Sequence, residues 1–250
     1  MNLRLFFVSC ALIISRFNAM ASPTDTVYVH VWTDVVCPFC AIGERHLDDA
    51  ANAFFGQTGT PVVLIPHAFR LQPDMQVAPG TSAYAALAEA KGISEAESRS
   101  LHASVTQRAV ASGLSFNFDR AIPANTTRAH HLLARARTYG CSTEVLRRLF
   151  AAYFWEGKDV DDPAVLESLF AASCTLPPGG FTSDSATEAA ALADDELAAR
   201  MLGIRAVPHF IFTTTPATPD RSAATRAASV QGAQPSSVLL DALHRTVEGG

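Results

Sequence analysis

Several things that would narrow a protein's role at once are scarce in this chain. It has five cysteines in 250 residues, too few for a scaffold built on disulfides at this length. It has no block of like charge. Against 19 Lys and Arg stand 24 Asp and Glu, for a net charge of −5, so the basic footprint of nucleic-acid binding is missing. Charged residues of both signs make up only 17%, while 48% are hydrophobic, which excludes a disordered chain and implies a sizeable core. No fixed-period repeat is found, so a solenoid is not indicated. No apolar run is long enough to span a bilayer. A second cysteine pair at zinc spacing is also lacking, so the metal set is read as none. Cys10, Cys141 and Cys174 stand alone, and only Cys37 and Cys40 are close in sequence. Cys141 and Cys174 are read as buried free thiols rather than a pair, because nothing in the sequence brings them within bonding distance.

The N-terminus has two readings. Arg4, the apolar run from Leu5 to Ile14 and the small residues Ala19-Met20-Ala21 form a signal-peptide layout over residues 1–21, which implies a secretory or periplasmic protein. Arg16 directly after the run, and Met20 as a second candidate start, give the other reading, a cytoplasmic or organellar protein.

What is present has a clear order. Val27-Tyr28-Val29-His30-Val31-Trp32 is β-branched and aromatic, a strand signal. Phe39 to Phe54 reads as a helix with Ile42, His46, Leu47 and Ala50 on one side, and Val62 to Ile65 as a second, buried strand. Strand, helix and strand make a parallel β–α–β unit. Helical segments follow. Ser82 to Lys91 ends at Gly92, and Ser94 to Ser112 ends at Gly113. Asn125 caps a segment through Arg137, and Thr143 caps one that Gly157 closes. Asp162-Pro163 starts a helix through Ala172, and Asp184 to Leu202 ends at Gly203. Pro177-Pro178-Gly179-Gly180 is a loop. Strands return at His209 to Phe212 and Ser229 to Gln231, across a polar loop from Thr213 to Ala228, before a last helix from Val238 to Val247. The expected fold class is α/β, a thioredoxin fold with a large α-helical insertion. Residues 26–72 and 203–250 form the discontinuous thioredoxin-like domain, and residues 73–202 the insertion.

Cys37-Pro38-Phe39-Cys40 lies where the first strand hands over to the first helix. A helix N-terminus offers unpaired N–H groups and the positive end of the helix dipole. A thiolate is favoured there, so Cys37 is expected to ionise below the free value of about 8.5 and to be the attacking sulfur. Cys40, one turn on, reaches back to resolve a mixed disulfide. Pro38 suits a first helical turn, where its missing N–H costs little. Half of a zinc site and two inert core cysteines are the bland readings. Asp34, just before the motif, is ordinarily a solvated loop aspartate; if buried, it could carry the proton of Cys40. Phe54, Phe55, Phe150, Phe154 and Trp155 are read as packing residues.

Five segments in one order resemble the DsbA-like superfamily and, within it, the FrnE-like proteins. They are Thr33 to Cys40 with Ile42-Gly43; Asn125-Thr126 with Ala129-His130; Leu149 to Phe154 with Glu156-Gly157 and Asp159-Val160; Gly203 to Pro208; and Gln231 to Gln234. The resemblance implies a redox-active dithiol at Cys37 and Cys40, with a cis-proline at Pro208 facing it. The backbone of Val207 would then pair with an extended substrate, beside Pro38 and Phe39. It also puts Asn125 and the helix that follows it above the dithiol, so that Asn125 lines the substrate cleft and His130 touches substrate or shifts Cys37, against bland readings as a helix cap and a structural histidine. Phe39 stands where tryptophan is usual, a change that tunes potential. His209 stands where an aromatic is common, and is either a neighbour of the dithiol or a histidine packed at a strand start. The implied activity is oxidation, reduction or isomerisation of protein or small-molecule disulfides, with no bound cofactor. Glutathione is the candidate redox partner or cosubstrate. Glutathione-dependent isomerases and transferases of the same superfamily give the alternative, although these typically carry serine where Cys37 stands. A non-catalytic, chaperone-like binding module is the third reading.

Overall fold

A computed structural model describes residues 26–175 and 183–248. The expected leader, residues 1–21, and the expected loop at 177–180 lie outside the described residues. Strand β1 (Val27–Thr33) is buried along all of its length except at Tyr28. It occupies an inner position in the sheet, which explains a continuous apolar run rather than an alternating one. β1 pairs in parallel with β2 (Val62–Ala68) and antiparallel with β3 (His209–Thr213), and β3 pairs antiparallel with β4 (Ala228–Gln231). The order β2-β1-β3-β4 requires the crossover that helix α1 (Pro38–Thr58) supplies between β1 and β2.

The two faces of the sheet are covered by different parts of the chain. Val29, Val31, Phe210 and Phe212 pack on Leu47, Ala50 and Phe54 of α1 and on Leu239 and Leu243 of the last helix, α9 (Ser236–Glu248). Trp32 and Ile211 pack on Ala199 and Ile204 at the end of helix α7 (Ser185–Leu202). Between β2 and β3 run α2 (Ala83–Lys91), α3 (Glu95–Ala111), α4 (Thr127–Thr138), α5 (Ser142–Ala151), a π-helical turn (Ala152–Glu156), α6 (Pro163–Ser173) and α7. Their starts follow cap chemistry. Ser82, Ser94, Asp162 and Asp184 each accept a first-turn N–H, and Ser94 with Glu97 completes a capping box. The largest apolar cluster joins the two halves: Cys37, Cys40 and Ile42 pack with Phe116, Leu133, Phe150 and Phe154. The dithiol therefore sits on the seam between sheet domain and helical insertion. Arg147 of α5 also ties the halves, pairing with Glu44 at 2.6 Å and with Asp48, both on α1.

Four sequence expectations need correction. Cys141 and Cys174 are a disulfide, closing a separation of 33 residues from the start of α5 to the end of α6; tertiary folding brings together thiols that sequence left apart. The helix expected from Thr143 to Gly157 does run on to Gly157, but it changes from α to π winding after Ala151, and Cys141, not Thr143, holds the cap position. Thr143 instead donates its hydroxyl to the Leu64 carbonyl at 3.1 Å. The polar loop from Thr213 to Ala228 contains a short helix, α8 (Arg221–Arg226), whose cap is Asp220.

A polar cluster is buried under α7. His30 and Trp32 share one face of β1, and His67 lies opposite Trp32 in the register. His30 Nδ1 and His67 Nε2 are 2.9 Å apart, and His67 Nδ1 donates to Asp195 Oδ1 at 2.6 Å. Arg137 donates to both Asp195 oxygens at 3.1 and 3.0 Å, and the Ala68 N–H adds a bond of 3.0 Å to Oδ2. The indole ring of Trp32 stacks on His67 with centroids 4.5 Å apart. Burial, with the neighbouring His67 charge, pushes His30 down to about 4. The His67 and Arg137 bonds overcome burial and hold Asp195 down at about 2. Bidentate pairing of this kind is what makes a buried carboxylate tolerable.

Candidate functional site

The dithiol is built by the handover from β1 to α1. Cys37 occupies the cap position of α1 in an extended conformation, and Pro38 opens the first turn. The Cys37 N–H donates to the Asp34 carbonyl at 3.1 Å, and the Cys40 N–H to the Cys37 carbonyl at 3.0 Å. Both cysteines are free thiols and both are buried. Burial pushes the Cys40 thiol well above its ordinary range, and contact with the Cys37 sulfur adds to the effect. The Thr33 hydroxyl and a backbone hydrogen bond at Asp34 act in the other direction. Cys40 is thus the protonated, inner sulfur.

The turn before β3 forms the facing wall. The Val207–Pro208 peptide bond is cis, and the Cys37 Sγ lies 3.9 Å from the Val207 carbonyl oxygen. A glycine makes this approach fit. A Cβ on Gly43 would stand 2.8 Å from Pro208 Cγ and 3.2 Å from Phe210 Cζ, closer than packed side chains allow. Gly232, just past β4, donates its N–H to the Pro208 carbonyl at 2.8 Å. Nearby, the Gln234 carbonyl accepts from His46 Nδ1 of α1 at 2.7 Å. These bonds account for the Gln231 to Gln234 segment, which the sequence offered only as part of a resemblance. On the solvent side Phe39 is exposed, with the Arg108 guanidinium of α3 5.8 Å from its ring centroid.

Asp34 is buried rather than solvated, against the ordinary reading of a loop aspartate. Its Oδ2 accepts from the Leu71 N–H at 2.8 Å, and its Oδ1 meets His130 Nε2 at 3.3 Å. His130 is buried as well, and its Nδ1 has no partner. Tyr153, from the π-helical turn, stands near the pair; burial and the Asp34 charge both push its phenol up. In the sequence Tyr153 appears only within the Leu149 to Phe154 segment of the resemblance, with no role attached, because its place depends on a helix that is wound irregularly.

Two expected site residues are not gathered to the sulfurs. Asn125 precedes α4 and accepts from the Thr127 N–H at 3.0 Å, while its amide donates to the Pro73 and Met75 carbonyls at 3.2 Å each. It pins the loop after β2 to the start of α4. His209 lies opposite Trp32 in the register, on the face that α7 covers, and its Nε2 meets the Ser229 hydroxyl at 3.0 Å. Among the described residues no group of three or more His, Cys, Asp or Glu side chains gathers as a metal site. No helix among them is long and apolar enough to cross a membrane.

Comparison with known proteins agrees with this geometry. The model of the DSBA-like thioredoxin domain family matches residues 28–244. Among solved structures, the probable DsbA oxidoreductase of Streptomyces coelicolor superposes with a TM-score of 0.73 at 25% identity, covering 89% of this chain and 90% of that one. The cytosolic disulfide reductase DsbM of Pseudomonas aeruginosa, solved with GSH, superposes with a TM-score of 0.52 at 18% identity, over 85% and 95% of the two chains. A 2-hydroxychromene-2-carboxylate isomerase gives 0.51 at 17%, over 87% and 95%. The latter two share the fold. A comparison with curated proteins returns no match.

Proposed function

Because this chain belongs to the DSBA-like thioredoxin domain family and is a thiol–disulfide oxidoreductase of the DsbA-like type, we propose that it works by cycling Cys37 and Cys40 between dithiol and disulfide. The observation that carries this reading is the pair of free, contacting thiols at the β1–α1 junction, with Val207–Pro208 against them. In the reducing direction the Cys37 thiolate attacks one sulfur of a substrate disulfide, and the other sulfur leaves as a thiol. Cys40 then gives up its proton and attacks the Cys37 sulfur. The Cys37–Cys40 bond forms, the bond to substrate breaks, and the second substrate thiol departs. The oxidising direction is the reverse.

Each neighbour has a role in that cycle. The start of α1 stabilises negative charge on Cys37. Pro38 and Phe39 form the rim that meets substrate, and the Val207 backbone offers an edge to an extended chain. Asp34 is the acceptor for the Cys40 proton, a need created by the burial of that thiol. The substrates are protein or small-molecule disulfides and thiols. Glutathione is the proposed small redox partner, in keeping with the shared fold of the Pseudomonas reductase solved with GSH.

The test is equilibration of the full chain in a series of glutathione redox buffers, followed by thiol trapping and mass-spectrometric mapping. The expected result is a reversible Cys37–Cys40 disulfide, with Cys141–Cys174 as an internal reference. A stable glutathione adduct on Cys37, with Cys40 never paired, would overturn the dithiol cycle in favour of glutathione-dependent chemistry.

A further inference from the structure

Resting on the dithiol reading above, we propose that His130 is a positioning residue for the resolving step, acting with Asp34 as one proton-handling unit for Cys40. The geometry begins with what Asp34 lacks. Its Oδ2 is satisfied by the Leu71 N–H at 2.8 Å, and its Oδ1 has His130 Nε2 at 3.3 Å. Among the described residues no Lys or Arg is paired with it. Arg70, after β2, acts on Asp34 at a distance, yet its guanidinium is held by both oxygens of Glu196 at 2.7 and 3.1 Å. A buried carboxylate with this little compensation is costly unless it can share a proton.

His130 can supply that. With Nε2–H aimed at Asp34, its Nδ1 lone pair is buried and unpartnered. Natural interiors rarely leave such an atom orphaned, and an imidazole with one free nitrogen can accept a second proton. Cys40 is tied to Asp34 through a backbone hydrogen bond at that residue, which sets the carboxylate's own residue beside the buried thiol. The other groups acting on the pair are Tyr153 from the π-helical turn and His131 beside His130 on α4. Tyr153 is held protonated by burial and by the Asp34 charge. His131 is biased toward its neutral form, mainly by burial. Neither competes for the proton that Cys40 releases.

In the resolving step that proton passes to the Asp34–His130 unit. The Cys40 thiolate forms a bond to the Cys37 sulfur, and the substrate sulfur leaves with the electron pair of the broken bond. The unit, or water exchanging with it, returns the proton to the leaving thiolate. The dithiol is oxidised, the substrate disulfide is reduced, and the unit is restored.

The test separates the two sulfur attacks. Reduced protein is mixed with an aromatic disulfide whose released thiolate absorbs visible light. Attack by Cys37 releases the first equivalent, and attack by Cys40 releases the second. His130→Gln keeps a donor for Asp34 but cannot take the proton. It is expected to leave the first phase within about twofold of the parent and to slow the second by about tenfold or more, with the midpoint of its pH profile displaced. Asp34→Asn is expected to slow the second phase at least as much. The double variant should be no slower than Asp34→Asn alone if the two residues act as one unit. A second phase unchanged in His130→Gln, equal slowing of both phases, or additive slowing in the double variant each overturns the inference. Release of a single equivalent by the parent protein would mean instead that the dithiol reading itself fails.

Discussion

Two histidine–aspartate pairs are buried in this molecule, and they are built to different standards. Under α7, Asp195 is met by His67 at 2.6 Å, by both ends of Arg137 and by the Ala68 N–H. Beside the dithiol, Asp34 has one backbone N–H and a histidine at 3.3 Å whose second nitrogen has no partner. The first network is saturated and holds β1, β2, α4 and α7 in register. The second is left short of partners where a proton must come and go. Satisfied polar networks fix structure. Arg135 Nε and His209 Nδ1 are buried without hydrogen-bond partners too, so it is the place of His130 beside Asp34, and not the orphaned nitrogen alone, that sets this pair apart.

The contrast can be broken most forcefully at Asp195. Replacing Asp195 with Ala strands Arg137 and His67 without their carboxylate, and should cost about 3–5 kcal/mol in urea unfolding. Asp34→Asn, by contrast, keeps an acceptor for Leu71 and offers His130 a partner in its other tautomer. It should change stability by no more than about 1 kcal/mol. Equal losses at the two positions would erase the distinction.

A second comparison uses pH. The fold favours neutral His30, whose value falls from 6.5 to about 4. The unfolded chain therefore binds the proton first on acidification. The contribution of His30 is complete above about pH 6.5 and is lost as pH falls toward 4, by on the order of 3 kcal/mol. Stability measured across that window should lose most of this slope in His30→Gln. An unchanged slope would remove His30 from the acid response.

The last comparison lies at the wall between the regions. Gly43→Ala places a methyl 2.8 Å from Pro208 Cγ, and should cost about 1–3 kcal/mol in thermal unfolding while slowing dithiol turnover. Loss of stability with turnover intact would show that the Pro208 wall can move without harm to the site.

Much of this was legible in the sequence because the signals were local. β1, α1 and the helix starts at Ser82, Ser94, Asp162 and Asp184 follow from side-chain type and cap chemistry within a few residues. The dithiol could be placed at a strand-to-helix junction on the same grounds. The polar cluster was not legible. His30, His67 and Asp195 come from three elements, and the only trace was His30 inside an apolar strand; His67 lies beyond the Val62 to Ile65 run, in the part of β2 that the sequence did not mark. Cys141 and Cys174 needed the packing of α5 against α6 before they could be recognised as a pair. The burial of Asp34 follows from helices that arrive from elsewhere in the chain, so a residue that looks like a solvated loop aspartate in sequence becomes a buried one in the fold.

The sheet order carries a consequence for the making of the protein. β1 emerges from the ribosome early, with Cys37 and Cys40 directly behind it, but its antiparallel partner pairs Trp32 with His209 near the far end of the chain. Until that distant segment is synthesised, one edge of β1 has no neighbour and the Val207 carbonyl is not yet opposite Cys37. The long-range pairing of β1 with β3 closes across all the helices in between. Such long-range closure is slow compared with local folding. Until β3 is in place the reactive pair lacks the wall formed by Val207 and Pro208, so a site whose cysteines stand near the start of the fold is completed only by its far end.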